Sequence, residues 1–125
     1  MELVGLEVAL DKVVYRYDPD NSQFGRPHVF IYFITIRNNS PETISLRGRR
    51  WVLQSRGERT QVVEGDGIVG EKPRLRPGES YSFHGFHMLK ESAVATGSFH
   101  GVDCAGHHIM VRIPSFAMQT PAMRK

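Results

Sequence analysis

The feature that most constrains this chain is its alternation of apolar and polar residues with a period of two. No window of helical length keeps a 3.6-residue stripe. The segment "HVFIYFITIRNN" (28–39) places Tyr32, Ile34 and Ile36 on one face and Phe33, Thr35 and Arg37 on the other. Further strands are expected over 3–17, broken near Asp11, and over 43–54, 59–65, 80–89, 94–103 and 107–116. Turn-forming clusters separate them: a long loop at 18–27, "NNSPE", and "SRGE". Pro73 and Pro77 are expected to keep "KPRLRPGE" out of regular structure. Short strands at this spacing with no helix between them predict an all-β antiparallel sandwich or barrel. At 125 residues the chain is read as one domain, 1–125.

Parity places individual side chains. Leu46, Trp51 and Leu53 all belong inside, yet 46 and 51 have opposite parity. A one-residue bulge near Gly48 reconciles them by shifting the side-chain phase. In the last hairpin Phe99, Ile109, Val111 and Ile113 belong inside, so paired residues must have an even sum. That register sends His100 and His108 together to the outer face. The expected core includes Trp51, Tyr32, Ile34, Phe99 and Val111.

The run "VVEGDGIVGEK" (62–72) contains Gly65-x-Gly67-x-x-Gly70, the spacing of a dinucleotide-binding loop. Such a loop works by delivering the chain into a helix whose N-terminal amides meet a pyrophosphate. Here "EKPRLRPGES" follows, with two prolines and no helical spacing. The glycines therefore read as backbone devices, permitting positive φ or close approach in a turn between strands. The alternative is a nest of backbone amides that holds phosphate, assisted by Lys72 or Arg74.

Sixteen basic against 13 acidic side chains leave a net charge of +3. The excess clusters at Arg47, Arg49, Arg50, Arg56 and Arg59, then Lys72, Arg74 and Arg76. A basic face of this kind can attract phosphate or an acidic partner. Nucleic acid is disfavoured, because Trp51 is the one aromatic in the stretch and single-strand binders stack bases on several. The lone cysteine, Cys104, excludes an intrachain disulfide and a multi-cysteine zinc site. The N-terminus lacks the basic and apolar regions of a signal peptide, and no stretch approaches a membrane span. The expectation is a cytoplasmic protein with no membrane association.

No constellation for catalysis emerges. Cys104 has His107 and His108 nearby in sequence, but activation of a thiol needs a specific, partly enclosed electropositive site. Of six histidines, His84 and His87 have opposite parity and cannot share a strand face. His100 and His108 can, which suggests a weak two-histidine metal site; Arg50 or Arg112 on that face would oppose a cation.

"RRWVLQSRGE", "VVEGDGIVGEKPRLRPGESYSF" and "IPSF", in this order and spacing, resemble the ApaG family. The resemblance runs from about "HVFIYFITIRNNS" to "IPSFAM". It departs from the family's pattern in "SFHGFHMLKESAV". It implies an immunoglobulin-like or fibronectin type III-like antiparallel β-sandwich of about seven strands, with Trp51 as the buried tryptophan of the third. Bacterial members are associated with cobalt resistance and magnesium efflux. Related domains in eukaryotic F-box proteins, and in a protein that interacts with DNA polymerase delta, look like protein-binding modules. The resemblance thus implies a non-enzymatic, cofactor-free module for protein–protein interaction, with a divalent-cation role or phosphate binding at Gly65–Gly70 as the alternative.

Overall fold

A computed structural model of the chain describes residues 2–57 and 60–121, with the side chains of 22–24 left out of that description. The elements are β1 (Leu6–Tyr17), a 3-10 helix (Pro19–Phe24), β2 (His28–Asn38), β3 (Ile44–Ser55), β4 (Gln61–Asp66), β5 (Arg74–Leu75), β6 (Ser80–Leu89), β7 (Ala93–Asp103) and β8 (His108–Met118). They form two antiparallel sheets, one in the order β1-β2-β6 and one in the order β4-β3-β7-β8, with β5 also on β3. Eight strands replace the expected seven or so. Part of the expected loop at 18–27 is helical, and Arg59, taken as the start of the fourth strand, lies outside the described residues.

The eighth strand corrects the reading of the proline segment. Pro73 and Pro77 flank β5 without entering it, so both retained amides are available where Leu75 and Arg74 pair with Ile44 and Ser45. Proline then serves the next turn: Arg76-Pro77-Gly78-Glu79 closes with the Glu79 amide donating to the Arg76 carbonyl, and Gly78 has φ +87°. Proline followed by a positive-φ glycine is the arrangement of a type II turn. Buried Asn38 anchors the neighbouring turn. Its amide nitrogen donates to the carbonyls of Glu42 and Leu75, and its oxygen accepts from the Ser40 amide and hydroxyl.

Bulges keep the apolar faces in phase. The β3–β7 register slips between Leu46 and Gly48, as parity requires, and β1 continues through a slip between Leu10 and Lys12. In the last hairpin Phe99 pairs with Val111 and Gly101 with Ile109, the even-sum register. Facing side chains fill one core between the sheets: Tyr32, Ile34 and Ile36 from β2, Trp51 and Leu53 from β3, Phe99 from β7, and Val111 and Ile113 from β8. A glycine lets β7 approach β3 closely. A Cβ at Gly97 would sit 2.5 Å from the Arg50 carbonyl oxygen and 3.2 Å from the Trp51 ring.

Candidate functional site

The glycine run begins inside a strand, not in a loop. Gly65 belongs to β4 opposite Arg49 and does not have positive φ. A Cβ there would meet the Arg49 guanidinium at 2.8 Å, so a larger residue would have to displace the end of that side chain. That guanidinium crosses the strand and donates through Nη1 to the carbonyls of Asp66 at 2.9 Å and Gly67 at 3.1 Å. Gly67 (φ +73°) and Gly70 (φ +84°) do take the left-handed conformation.

β4 and β5 run along the same edge of β3, and residues 67–73 are a detour between them. The detour is a miniature hairpin. Ile68 and Glu71 exchange both backbone hydrogen bonds, at 2.6 and 3.2 Å, around Val69 and Gly70, which both have positive φ. Its effect is to drive Ile68 into the core, where it is fully buried. Sequence reading missed Ile68 because a single apolar residue among glycines has no periodicity to display. The amides of Gly67, Ile68 and Glu71 are donated to protein carbonyls, so they do not converge on an outside anion. Lys72 is exposed, and Arg74 is an exposed strand residue opposite Ser45 rather than a loop cation.

Gly67→Ala is expected to cost about 2 kcal/mol, from the left-handed φ and from a Cβ placed 2.8 Å from the Glu71 carbonyl oxygen. Gly70→Ala, with open space around its Cβ, should cost about 1 kcal/mol, from conformation alone. Urea unfolding of both variants checks the ranking; equal losses would contradict the packing argument.

The outer face of the five-stranded sheet carries an open cleft of about 610 Å3 lined by Gly48, Arg49, Arg50, Glu64, Asp66 and His100, among others. Arg50 pairs with Glu64 at 3.3 Å, and Arg112 pairs with Glu2 at 2.9 Å. His100 and His108 do meet. Their Nδ1 and Nε2 lie 3.3 Å apart with the rings stacked, and His100 Nε2 contacts the Ser98 hydroxyl at 2.7 Å. Partial burial, His108 and Arg50 hold His100 below the ordinary imidazole pKa. Among the described residues no three His, Cys, Asp or Glu side chains group as metal ligands. The pair is thus a hydrogen-bonded unit beside an arginine, short of the three or four ligands that stable sites use.

Cys104 is exposed and donates to the Thr43 carbonyl at 3.3 Å. His107 turns instead to Asp103, whose carboxylate also accepts the amides of Ala105 and His107. Those hydrogen bonds, that from the His107 amide first, hold Asp103 below the ordinary carboxylate pKa. The arrangement organises a turn and does not pair a nucleophile with a base.

The outer face of the three-stranded sheet is different. Across its strands run the rows Val14–Ile31–Phe86, Arg16–Val29–Met88 and Lys12–Phe33–His84. Phe86 is 58% exposed, Val14 40% and Met88 38%. The Lys12 ammonium lies 4.6 Å above the Phe33 ring. Parity alone assigned Phe33 to this face; the strip becomes visible only when β1 and β6 are known to flank β2.

The family model described as "ApaG domain" matches residues 18–103. Protein ApaG of Brucella anthropi is 34% identical over 122 residues, covering 97% of this chain and 92% of that protein. Protein ApaG of Rhodospirillum centenum is 38% identical over 97 residues, covering 77% and 75%. Among solved structures, a structural-genomics target superposes with a TM-score of 0.82 at 25% identity, covering 97% of this chain and 90% of its own. An ApaA protein from Bordetella pertussis superposes with a TM-score of 0.73 at 27% identity, covering 94% and 97%. With the sandwich, the arginine-stapled glycine hairpin and these matches together, the chain belongs to the ApaG domain family.

Proposed function

We propose that this domain is a non-enzymatic module that binds a protein partner through the outer face of the β1-β2-β6 sheet, in the cytoplasm. The observation that supports it is the apolar strip of Val14, Val29, Ile31, Phe33, Phe86 and Met88, contiguous across three strands. Exposed apolar clusters with a polar rim mark interaction surfaces more often than scattered single residues do. Lys12 and Arg16 supply a cationic rim, so the fitting partner offers apolar side chains flanked by acids. No helix in the described residues is long and apolar enough to cross a membrane. A cytoplasmic setting would keep exposed Cys104 reduced.

The non-enzymatic part of the proposal draws support from Cys104 and His107, which engage different partners. A divalent-cation role would use His100 and His108, whose proximity is its one supporting feature. Arg50 beside them opposes it.

Affinity purification with wild type, Phe86→Glu and Val94→Glu tests the docking face. Val94, 45% exposed, serves as the control on the opposite sheet. Phe86→Glu should reduce partner recovery at least about tenfold with folding stability unchanged within about 0.5 kcal/mol. Equal recovery with Phe86→Glu, or selective loss with Val94→Glu, would move the surface elsewhere.

A further inference from the structure

Two open sheets leave four edges, and an unprotected edge is a template for another strand. Three of these edges carry protection. β1 slips between Leu10 and Lys12 and bears Glu7, Asp11, Lys12 and Arg16. β4 is six residues long, bears Glu64 and Asp66, and shares its side of β3 with the two-residue β5. β8 contains Pro114, slips in register between Ile113 and Phe116, and takes a bridge from Glu2 at Met110.

β6 has none of these devices. Its ten residues, Ser80–Leu89, include no proline and no Asp, Glu, Lys or Arg. It pairs with β2 without a slip, from Arg37–Ser80 to His28–Leu89. One bond fixes which way its backbone groups point. The Asn38 amide donates to the Glu79 carbonyl at 2.9 Å, and hydrogen-bonded pairs alternate along an antiparallel ladder. Odd-numbered residues of β6 therefore bond to β2, while Ser82, His84 and Phe86 aim their amides and carbonyls away from it. The other side of β2 keeps the same alternation, with the Asn39 amide donating to the Gly5 carbonyl at 2.8 Å. Among the described residues no strand lies beyond β6. The 3-10 helix reaches only its far end, where Asn21 Nδ2 lies 2.8 Å from Met88 Sδ.

The chemistry of this edge selects its occupant. A row of alternating donors and acceptors is matched by another extended backbone, the mode of strand addition. Side chains of an added strand would alternate between two apolar surroundings. One set would continue the outer strip beside Phe86. The other would enter a cleft of about 310 Å3 between β6 and β4, lined by Val63 and Val69 among others, with Arg49 beside them. A second copy paired about Gly85 would bring two such clefts, and two Arg49 side chains, towards one axis. Like charges oppose that arrangement, whereas a segment carrying an acid is attracted.

We propose that β6 accepts an extended, largely apolar segment of a partner protein as an added strand, paired to Ser82, His84 and Phe86, with an acid near Arg49. This deepens the docking reading and rests on it: the partner is held by its backbone as well as by the apolar strip.

The probe is a short synthetic peptide of alternating valine and threonine with one glutamate, beside a copy N-methylated on its central amides. In spectra of isotopically labelled protein, the plain peptide should saturably shift the amides of Ser82, His84 and Phe86 and slow their hydrogen exchange. The methylated copy should bind at least about tenfold more weakly. His84→Pro removes one edge amide and no bond to β2, a place where proline is tolerated, and should weaken binding about fivefold to tenfold. His84→Ala keeps the amide and should bind as wild type does. Dispersion of the amide spectrum establishes that each variant is folded; where His84→Pro is not, the methylated peptide on wild type decides alone. Binding lost with Phe86→Glu but indifferent to His84→Pro and to methylation leaves the docking face standing and overturns the added strand. Unmoved edge amides, equal weakening by His84→Pro and His84→Ala, or a wild-type dimer formed through β6 also overturns it.

Discussion

Trp51→Ala should destabilise the domain by about 3–5 kcal/mol, the range for removing a large buried aromatic, and should sharply reduce soluble yield. Trp51 is 1% exposed and lies between the sheets. On one side it packs on Tyr32 and His87 of the three-stranded sheet, and on the other on Phe99 at 6.5 Å and Phe116 at 5.9 Å. Truncation therefore opens a cavity that both sheets border. Collapse of that cavity is resisted from β7, because Gly97 already lets its backbone approach Arg50 and the indole as closely as it can. Domains of this size have a total stability of roughly 5–15 kcal/mol, so the loss consumes much of it. Urea unfolding measures the effect where soluble protein is recovered. A loss below about 1 kcal/mol, or wild-type fluorescence typical of an exposed indole, would contradict the packing described.

Much of this fold was legible because a sandwich core demands strict alternation. The residues that define it, Tyr32, Ile34, Phe99 and Val111, lie on long strands where parity has several repeats in which to show. The bulge near Gly48 was legible for the same reason, since Leu46 and Trp51 could not otherwise face one core. Legibility failed where position depends on partners distant in sequence. β5 is two residues long and exists only because β3 presents a free edge beside it. Ile68 is core because a two-residue left-handed turn aims it there. Phe86 and Met88 become part of a strip only when paired with Ile31 and Val29.

The candidate site shows the same division. Parity brought His100 and His108 onto one face, together with Ser98 two residues before His100, and the structure places them in contact, but their Arg50 neighbour comes from strand pairing. His87 could have been found sooner: on β6 it shares odd parity with Gly85 and Leu89, which face inward. The basic cluster was legible as charge, not as structure. Arg49 staples the glycine hairpin and Arg50 is tied to Glu64, so two of its members are already engaged within the domain.

Acidification should expose His87 as a pH-dependent weak point. Burial lowers its pKa from 6.5 to about 4. Above about pH 6.5 the ring is neutral in both folded and unfolded chains, and it contributes no pH dependence. Between pH 6.5 and 4 the unfolded chain binds a proton that the folded chain refuses, so stability falls as pH falls. Below about pH 4 the folded chain binds it as well, and the accumulated loss levels off near 3 kcal/mol. Asp103 acts in the same direction but in a lower window, because its depressed carboxylate loses its contribution only below the ordinary carboxylate range. His100 is also lowered, but it is partly solvated, so its share is smaller. Denaturant unfolding at a series of pH values separates these groups. His87→Phe keeps a ring against Tyr32 and Trp51 and removes both nitrogens, so its stability should change much less than wild type between pH 6.5 and 4. A variant curve parallel to wild type through that window would show that some other group carries the acid sensitivity.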